Sequence, residues 1–222
     1  EPEGGVRGGL VVLEDISQEK RMQTTLYRYM PPSVAEQVMA LGEDSLMVGK
    51  RRDVTVLFSD IRGYTTLTES LEASQVVSML NEYFETMVAA VFNHEGTLDK
   101  FIGDALMAVF GAPLPLENHG WSAVQAALDM RARLVHFNRL RRTNQQPEIN
   151  IGIGLSSGEV VSGNIGSHRK MEYTVIGDGV NLSARLEGVT KQYGCDIVLS
   201  EHTYDCCRDL IWVRELDLTR VK

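Results

Sequence analysis

Apolar runs alternate with amphipathic stretches through most of this chain. VTVLFSDI (54–61) is almost unbroken apolar sequence closing on Asp60, the pattern of a strand buried on both faces. Between 74 and 93, Val76, Val77, Leu80, Phe84, Met87, Val88 and Val91 recur at helical spacing, and Gly96 lies beyond the end. LDKFIGDALMAVFGAP (98–113) reads as two short strands around a tight turn at Gly103. A second long helix, over about 118–140, carries Trp121, Val124, Leu128 and Val135 and runs into Arg-Leu-Arg-Arg, favourable at a helix C-terminus. INIGIGLSSGEVVSGNIG (149–166) supplies two more strands; a short helix over 179–189, the strand DIVLS and a last turn or helix follow. The order β-α-β-β-α-β with additions predicts an α+β, ferredoxin-like fold, its helices packed on one face of a mainly antiparallel sheet.

Ahead of this core, GGVRGGLVVLEDI (4–16) is a Gly-rich turn and a single strand, too little to fold alone. Residues 1–16 read as the end of a preceding domain. From Ser17, Met22, Leu26, Tyr29 and Met30 recur at helical spacing. Pro31-Pro32 breaks that helix and can start another, in which Val34, Val38 and Leu41 continue the stripe to Gly42. Residues 17–48 are thus a helical linker, read as a connector that carries a signal and pairs with a second copy, with a helix packed on its own domain as the alternative.

Composition narrows the class. The 222 residues are 43% hydrophobic and 23% charged, enough for one globular domain with some extra helix. No apolar run approaches the roughly 18 residues that span a bilayer. The first residues lack the basic start and apolar core of a signal peptide. Three cysteines with one left over disfavour a disulfide framework, so a reducing, cytoplasmic location is expected. A net charge of −8 disfavours a general nucleic-acid or anionic-membrane surface, while leaving room for a small anionic ligand in a local pocket. The three cysteines form no CxxC and the five histidines show no zinc-ligand spacing.

The candidate chemistry is acidic. Asp60 closes the first strand and Asp104 sits at the turn of the next hairpin; in a ferredoxin-like order those strands are neighbours. The pair can hold a hard cation such as Mg²⁺ or simply cap two turns. Lys100 and Asp104, four residues apart across Gly103, can neutralise each other or serve separate ends. Asn181 and Arg185 share one face of a short helix, away from the Leu182, Leu186 and Val189 stripe. Lys100 and Thr174 add a cationic donor and a hydroxyl acceptor. No GxxxxGK and no strand-linked GxGxxG is present, which removes P-loop and Rossmann readings.

Four segments, VTVLFSDIRGYT (54–65), LDKFIGDALMAVFGAP (98–113), IGLSSGEVVSGNIG (153–166) and YTVIGDGVNLSARLE (173–187), resemble in this order the class III nucleotidyl cyclases, the adenylate and guanylate cyclase catalytic domains. The resemblance covers 49–222, and its detail is most similar to the bicarbonate-responsive, soluble-type adenylate cyclases of bacteria. Residues 1–16 resemble more weakly the end of a PAS sensor domain. The resemblance implies conversion of ATP to 3′,5′-cyclic AMP and pyrophosphate. It also implies two Mg²⁺ (or Mn²⁺, with Ca²⁺ able to take one site) on Asp60, Asp104 and the Ile61 carbonyl. Adenine selection would fall to Lys100 and Thr174, ribose orientation to Asn181, transition-state charge to Arg185 and the terminal phosphates to Lys222. The family works as a head-to-tail homodimer, with the metal carboxylates from one chain and the remaining groups from the other. Bicarbonate is an implied activator.

Donor and acceptor counts fit that assignment. Adenine presents an acceptor at N1 and a donor at its amino group; lysine only donates and a threonine hydroxyl can accept. Guanine reverses both, and guanylate cyclases of the family carry Glu and Cys at the two positions. Many adenylate cyclases have Asp where this chain has Thr174, and a hydroxyl can also donate, so discrimination against GTP is expected to be weaker here. An Arg that several relatives carry near Gly152 is absent, and relatives continue beyond the position of Lys222 with Gly and another strand. Guanylate cyclase activity and a cyclase-like module that only dimerises are the competing readings.

Overall fold

Strand β1 (Lys50–Ile61) is the spine of the sheet, and its alternation decides which face every later element covers. Leu57 and Ile61 point to one side, Val54 and Val56 to the other, and Asp60 shares their parity. The structure is a computed structural model that describes residues 17–40, 49–69, 71–167 and 170–217. After β1 come α3 (Tyr64–Thr68), α4 (Ala73–Asn93), β2 (Thr97–Ile102), β3 (Ala105–Phe110) and α5 (His119–Thr143). Then follow β4 (Ile151–Ser167), β5 (Lys170–Ile176), α6 (Asp178–Tyr193), β6 (Ile197–Leu199) and α7 (Glu201–Cys207). Strands are ordered β2-β3-β1-β4-β5, all antiparallel, with short β6 added parallel to β4. The inner order β2-β3-β1-β4 is the ferredoxin-like one expected from the pattern.

Helices α4 and α5 cover the Leu57 face. Tyr83, Met87 and Val91 of α4 and Ala123, Ala127 and Met130 of α5 meet Leu57, Leu106, Phe110, Ile153 and Leu155. Each large side chain so removed from water contributes about 1.5–3 kcal/mol. The inward stripe of α4 is rotated from the expected one: Val77 is 58% exposed, and Met79 and Tyr83 take the inward positions. The aliphatic residues suggested a stripe, but the tyrosine and an alanine, Ala90, define the real one. On α5, Leu128 and Val135 likewise face outward, while a run of small residues, Ala123, Ala126 and Ala127, lets the helix approach closely.

Helix α6 corrects the one-face expectation, because it lies on the opposite side of the sheet. Ile151, Ile153 and Leu155 belong to the α4–α5 core, so Gly152 and Gly154 between them face the other way. A Cβ on Gly154 would stand 2.1 Å from the Ser183 carbonyl oxygen, and one on Gly152 would stand 2.4 Å from Glu187 Oε1. At Gly154 the clash is with backbone, so only hydrogen there lets α6 press onto β4, next to the face that carries Asp60; at Gly152 the Glu187 and Thr190 side chains would have to shift.

Before the sheet come α1 (Ser17–Leu26) and α2 (Pro32–Ala40), the latter opening on a proline as expected. Met30, Ala35 and Val38 form a small core with Leu114, and the Leu98 N–H donates to the Tyr29 carbonyl at 2.6 Å. Through these contacts the segment meets β2 and Leu114 of its own chain. The predicted fragment 1–16 and the linker end 41–48 lie outside the described residues. Among the described residues no helix is long and apolar enough to cross a membrane.

Candidate active site

Asp60 sits near the end of β1, opposite Gly152 of β4. Asp104 follows Gly103, whose φ of 65° lies in the left-handed region that turns β2 into β3 at no steric cost. Because β3 pairs with β1, with Leu106 opposite Ser59, this turn brings Asp104 to the same sheet corner. There the Asp104 carboxyl acts directly on the proton affinity of Asp60. Burial, then the Asp104 carboxyl, then Glu187 push Asp60 from 3.8 up to about 6, while Lys191 pulls the other way from 3.9 Å.

Glu187 is an acidic neighbour that the sequence pattern did not single out. It is buried on α6 beneath Gly152, and its Oε1 has no hydrogen-bond partner among the described residues. Burial pushes Glu187 up as well, opposed by Lys191 and Arg62. Its i, i+4 spacing to Lys191 was the available signal, masked because the helix was expected to stop at 189. Arg62, just past β1, donates to the Cys195 carbonyl at 2.5 Å and so ties this corner to the end of α6. The Ile61 side chain is in the core, which leaves only its backbone to face a ligand.

The donors at this corner are hard oxygens with repelling charges, the set that suits Mg²⁺ or Mn²⁺. Among the described residues no group of three or more His, Cys, Asp or Glu forms a complete metal cage. Two carboxylates without a full cage match a cation that takes its other ligands from water and phosphate.

A second cluster joins β2 to β5. Lys100 does not pair with Asp104: among the described residues its ion pairs go to Glu172 at 3.1 Å and Asp99 at 3.6 Å. Burial pulls the Lys100 ammonium down, but Glu172 and Asp99 outweigh it and hold the group above its ordinary value. Thr174 donates its hydroxyl to Asp99, at 2.8 Å to Oδ1 and 2.5 Å to Oδ2. The two expected base-reading groups, Lys100 and Thr174, therefore share one partner, Asp99. Neither Asp99 nor Glu172 stood out in the sequence, since each reads as an ordinary strand residue.

Asn181 and Arg185 are exposed on α6, opposite Ser183, Leu186 and Glu187, which face the protein. Lys222 lies outside the described residues. A groove of about 990 Å³, lined by Trp121, Leu128, Leu186, Tyr193 and Trp212, includes none of the candidate site residues.

Comparison with known proteins fits this arrangement. Residues 46–222 match the family model of the adenylate and guanylate cyclase catalytic domain. Adenylate cyclase 1 of Rhizobium meliloti (strain 1021) is 33% identical over 89% of this chain, covering 30% of that protein. The adenylate cyclase of Anabaena cylindrica is 37% identical over 82% of this chain and 36% of its own length. The chain thus spans about a third of these relatives. Among solved structures, the adenylyl cyclase CyaB from P. aeruginosa superposes with a TM-score of 0.69 at 34% identity, covering 75% of this chain and 85% of that one. The guanylyl cyclase Cya2 gives 0.67 at 37% identity, covering 72% and 80%. Four ordered motifs, a ferredoxin-like sheet with two carboxyls at one corner, and a family match over most of the length agree: the chain belongs to the class III nucleotidyl cyclases, the adenylate and guanylate cyclase catalytic-domain family.

Proposed function

We propose that this domain is an adenylate cyclase, converting ATP to 3′,5′-cyclic AMP and pyrophosphate at sites shared between two copies of the chain. The observation that carries the reading is the pair Lys100 and Thr174 held on one carboxylate, a donor beside a hydroxyl whose proton is already engaged. That pair matches the N1 acceptor and the amino donor of adenine and opposes both groups of guanine. Asp60 and Asp104, with the Ile61 carbonyl, are the groups that would hold two Mg²⁺ or Mn²⁺, with Ca²⁺ able to take one site. Bound there, such ions supply charge neutralisation for the triphosphate and a lowered pKa for the ribose 3′-hydroxyl. Asn181 orients the ribose and Arg185 meets the charge that develops on the α-phosphate oxygens, where a preplaced guanidinium is worth most. Lys222 is assigned to the terminal phosphates. Residues 1–16 belong with an upstream PAS-like sensor and 17–48 with the linker that couples it to the catalytic domain 49–222. Bicarbonate is the proposed activator.

The test is purified protein with ATP or GTP and Mg²⁺ or Mn²⁺, with cyclic product measured. Cyclic AMP as the main product is expected; its absence under all these conditions overturns the reading. Asp104→Ala and Arg185→Ala are each expected to be inactive alone and to recover activity partly on mixing. A mixture as dead as its components removes the shared-site part. A rate that stays flat across bicarbonate concentrations at constant pH removes the activator.

A further inference from the structure

Strand β2 contains an irregularity with a chemical consequence. Leu98 stands opposite Ala108 and Lys100 opposite Met107, so Asp99 is an extra residue with no cross-strand partner. Successive side chains of a regular strand point to opposite faces, whereas a bulge re-aims them. Here Asp99 and Lys100, neighbours in sequence, both meet β5. The Asp99 side chain is only 3% exposed and accepts from Thr174 through both oxygens. Burial pushes the Asp99 carboxyl above its ordinary value, and the Thr174 hydroxyl and Lys100 Nζ, 3.6 Å from Oδ1, oppose that and favour its ionised form. A hydroxyl has one proton and two lone pairs, and an ionised carboxylate can only accept. The Thr174 proton is therefore committed to Asp99, and what the hydroxyl can offer a ligand is lone pairs alone.

We propose that Asp99 is a positioning residue that sets base selectivity, fixing Thr174 as an acceptor for an exocyclic amino group while holding Lys100 beside it as the donor. The inference rests on the adenylate cyclase reading above and adds to it the reason a threonine suffices. Threonine alone is ambivalent: a freely rotating hydroxyl can donate to the carbonyl that guanine presents where adenine has its amino group. With its proton engaged by Asp99, that option is closed, and the acceptor character that a carboxylate would bring is supplied by a neutral side chain.

The experiment measures kcat/KM for ATP and for GTP on wild type, Asp99→Asn, Asp99→Ala, Thr174→Val and the Thr174→Val/Asp99→Asn double variant. In Asp99→Asn, Lys100 claims the amide oxygen and turns the amide N–H toward Thr174, which frees the hydroxyl proton. In Asp99→Ala the acceptor is gone. Each is expected to lower the ATP/GTP ratio at least about tenfold, the scale of one misplaced buried hydrogen bond. Thr174→Val should lower the ratio too, and Asp99→Asn added to it should change the ratio by less than about twofold, since Asp99 acts through Thr174. The ratio does not depend on the fraction of chains that fold, so partial misfolding leaves it readable. Should both Asp99 variants be inactive, Thr174→Ser and Thr174→Val decide. Serine keeps the contact and should keep the ratio, valine should lose it, and equal ratios overturn the proposal. Wild type without cyclic AMP overturns the underlying reading; wild type that prefers ATP, with a preference surviving in Asp99→Asn and Asp99→Ala, overturns this inference alone.

Discussion

Replacing Asp60 by asparagine should stabilise the fold. The Asp60 carboxyl is raised from 3.8 to about 6, first by burial and then by the Asp104 carboxyl beside it. An acid whose folded-state pKa lies above its unfolded value binds its proton more tightly when folded. Its ionisation therefore subtracts stability, by nothing well below pH 3.8, increasingly as pH rises toward 6, and fully above that. A shift of about 2 units corresponds to about 3 kcal/mol at 1.36 kcal/mol per unit. The side chain is 30% exposed and faces Lys191 at 3.9 Å, so solvent screening reduces this to about 1.5 kcal/mol. Asp60→Asn removes the charge and keeps the shape. Without divalent cations at pH 8, its melting temperature should exceed that of wild type by about 3–6 °C. The gap should close toward pH 4, where wild-type Asp60 is protonated. Adding Mg²⁺ should then raise the wild type and leave the variant unmoved, because ligand binding to the folded state stabilises only the chain that binds. An Asn variant that melts at or below wild type at pH 8, or a gap that does not change with pH, refutes the electrostatic account.

Gly154→Ala should lose at least about 2 kcal/mol in chemical denaturation, since its Cβ would stand 2.1 Å from the Ser183 carbonyl and push α6 off the sheet. Arg185→Ala should lower kcat by roughly 10²–10³. Its melting temperature should stay within about 1 °C of wild type, because the residue is exposed. Met30→Ala opens a cavity worth about 2–4 kcal/mol in the small core that docks α1 and α2. Limited proteolysis should therefore cut ahead of residue 49 sooner, while the melting of the sheet stays put.

The alternation of apolar runs carried the fold because β1 and β3 are largely buried strands and the ferredoxin-like order follows from the sequence of elements. Two features needed tertiary information. The inward phase of α4 rests on Tyr83 and Ala90, which a hydrophobicity pattern weights below Val77. The side of the sheet taken by α6 rests on Gly152 and Gly154, whose missing side chains are silent in any apolar periodicity. At the site, Asp60, Asp104, Lys100 and Thr174 were legible as residue types in ordered motifs. Asp99, Glu172 and Glu187 were not, for a common reason. Each acts through a long-range contact, between β2 and β5 or between α6 and the β1 corner, and nothing in local sequence distinguishes it from an ordinary charged residue.

The geometry of α6 bears on how many chains a site needs. Ser183 and Glu187 press on the glycines of β4, and Glu187 lies close enough to Asp60 to shift its proton affinity. Arg185 lies two residues from each, and at about 3.6 residues per turn this puts it some 200° round the helix from both. Its side chain therefore leaves α6 on the side away from the sheet, with the body of the helix between it and the two carboxyls. Asn181, one turn earlier, leaves on the same side. A guanidinium so placed cannot converge with Asp60 and Asp104 of its own chain unless α6 rolls off the sheet. The close fit of Ser183 against Gly154 opposes such a roll. If Arg185 and the carboxyls act on one phosphate, they must therefore come from different copies of the chain.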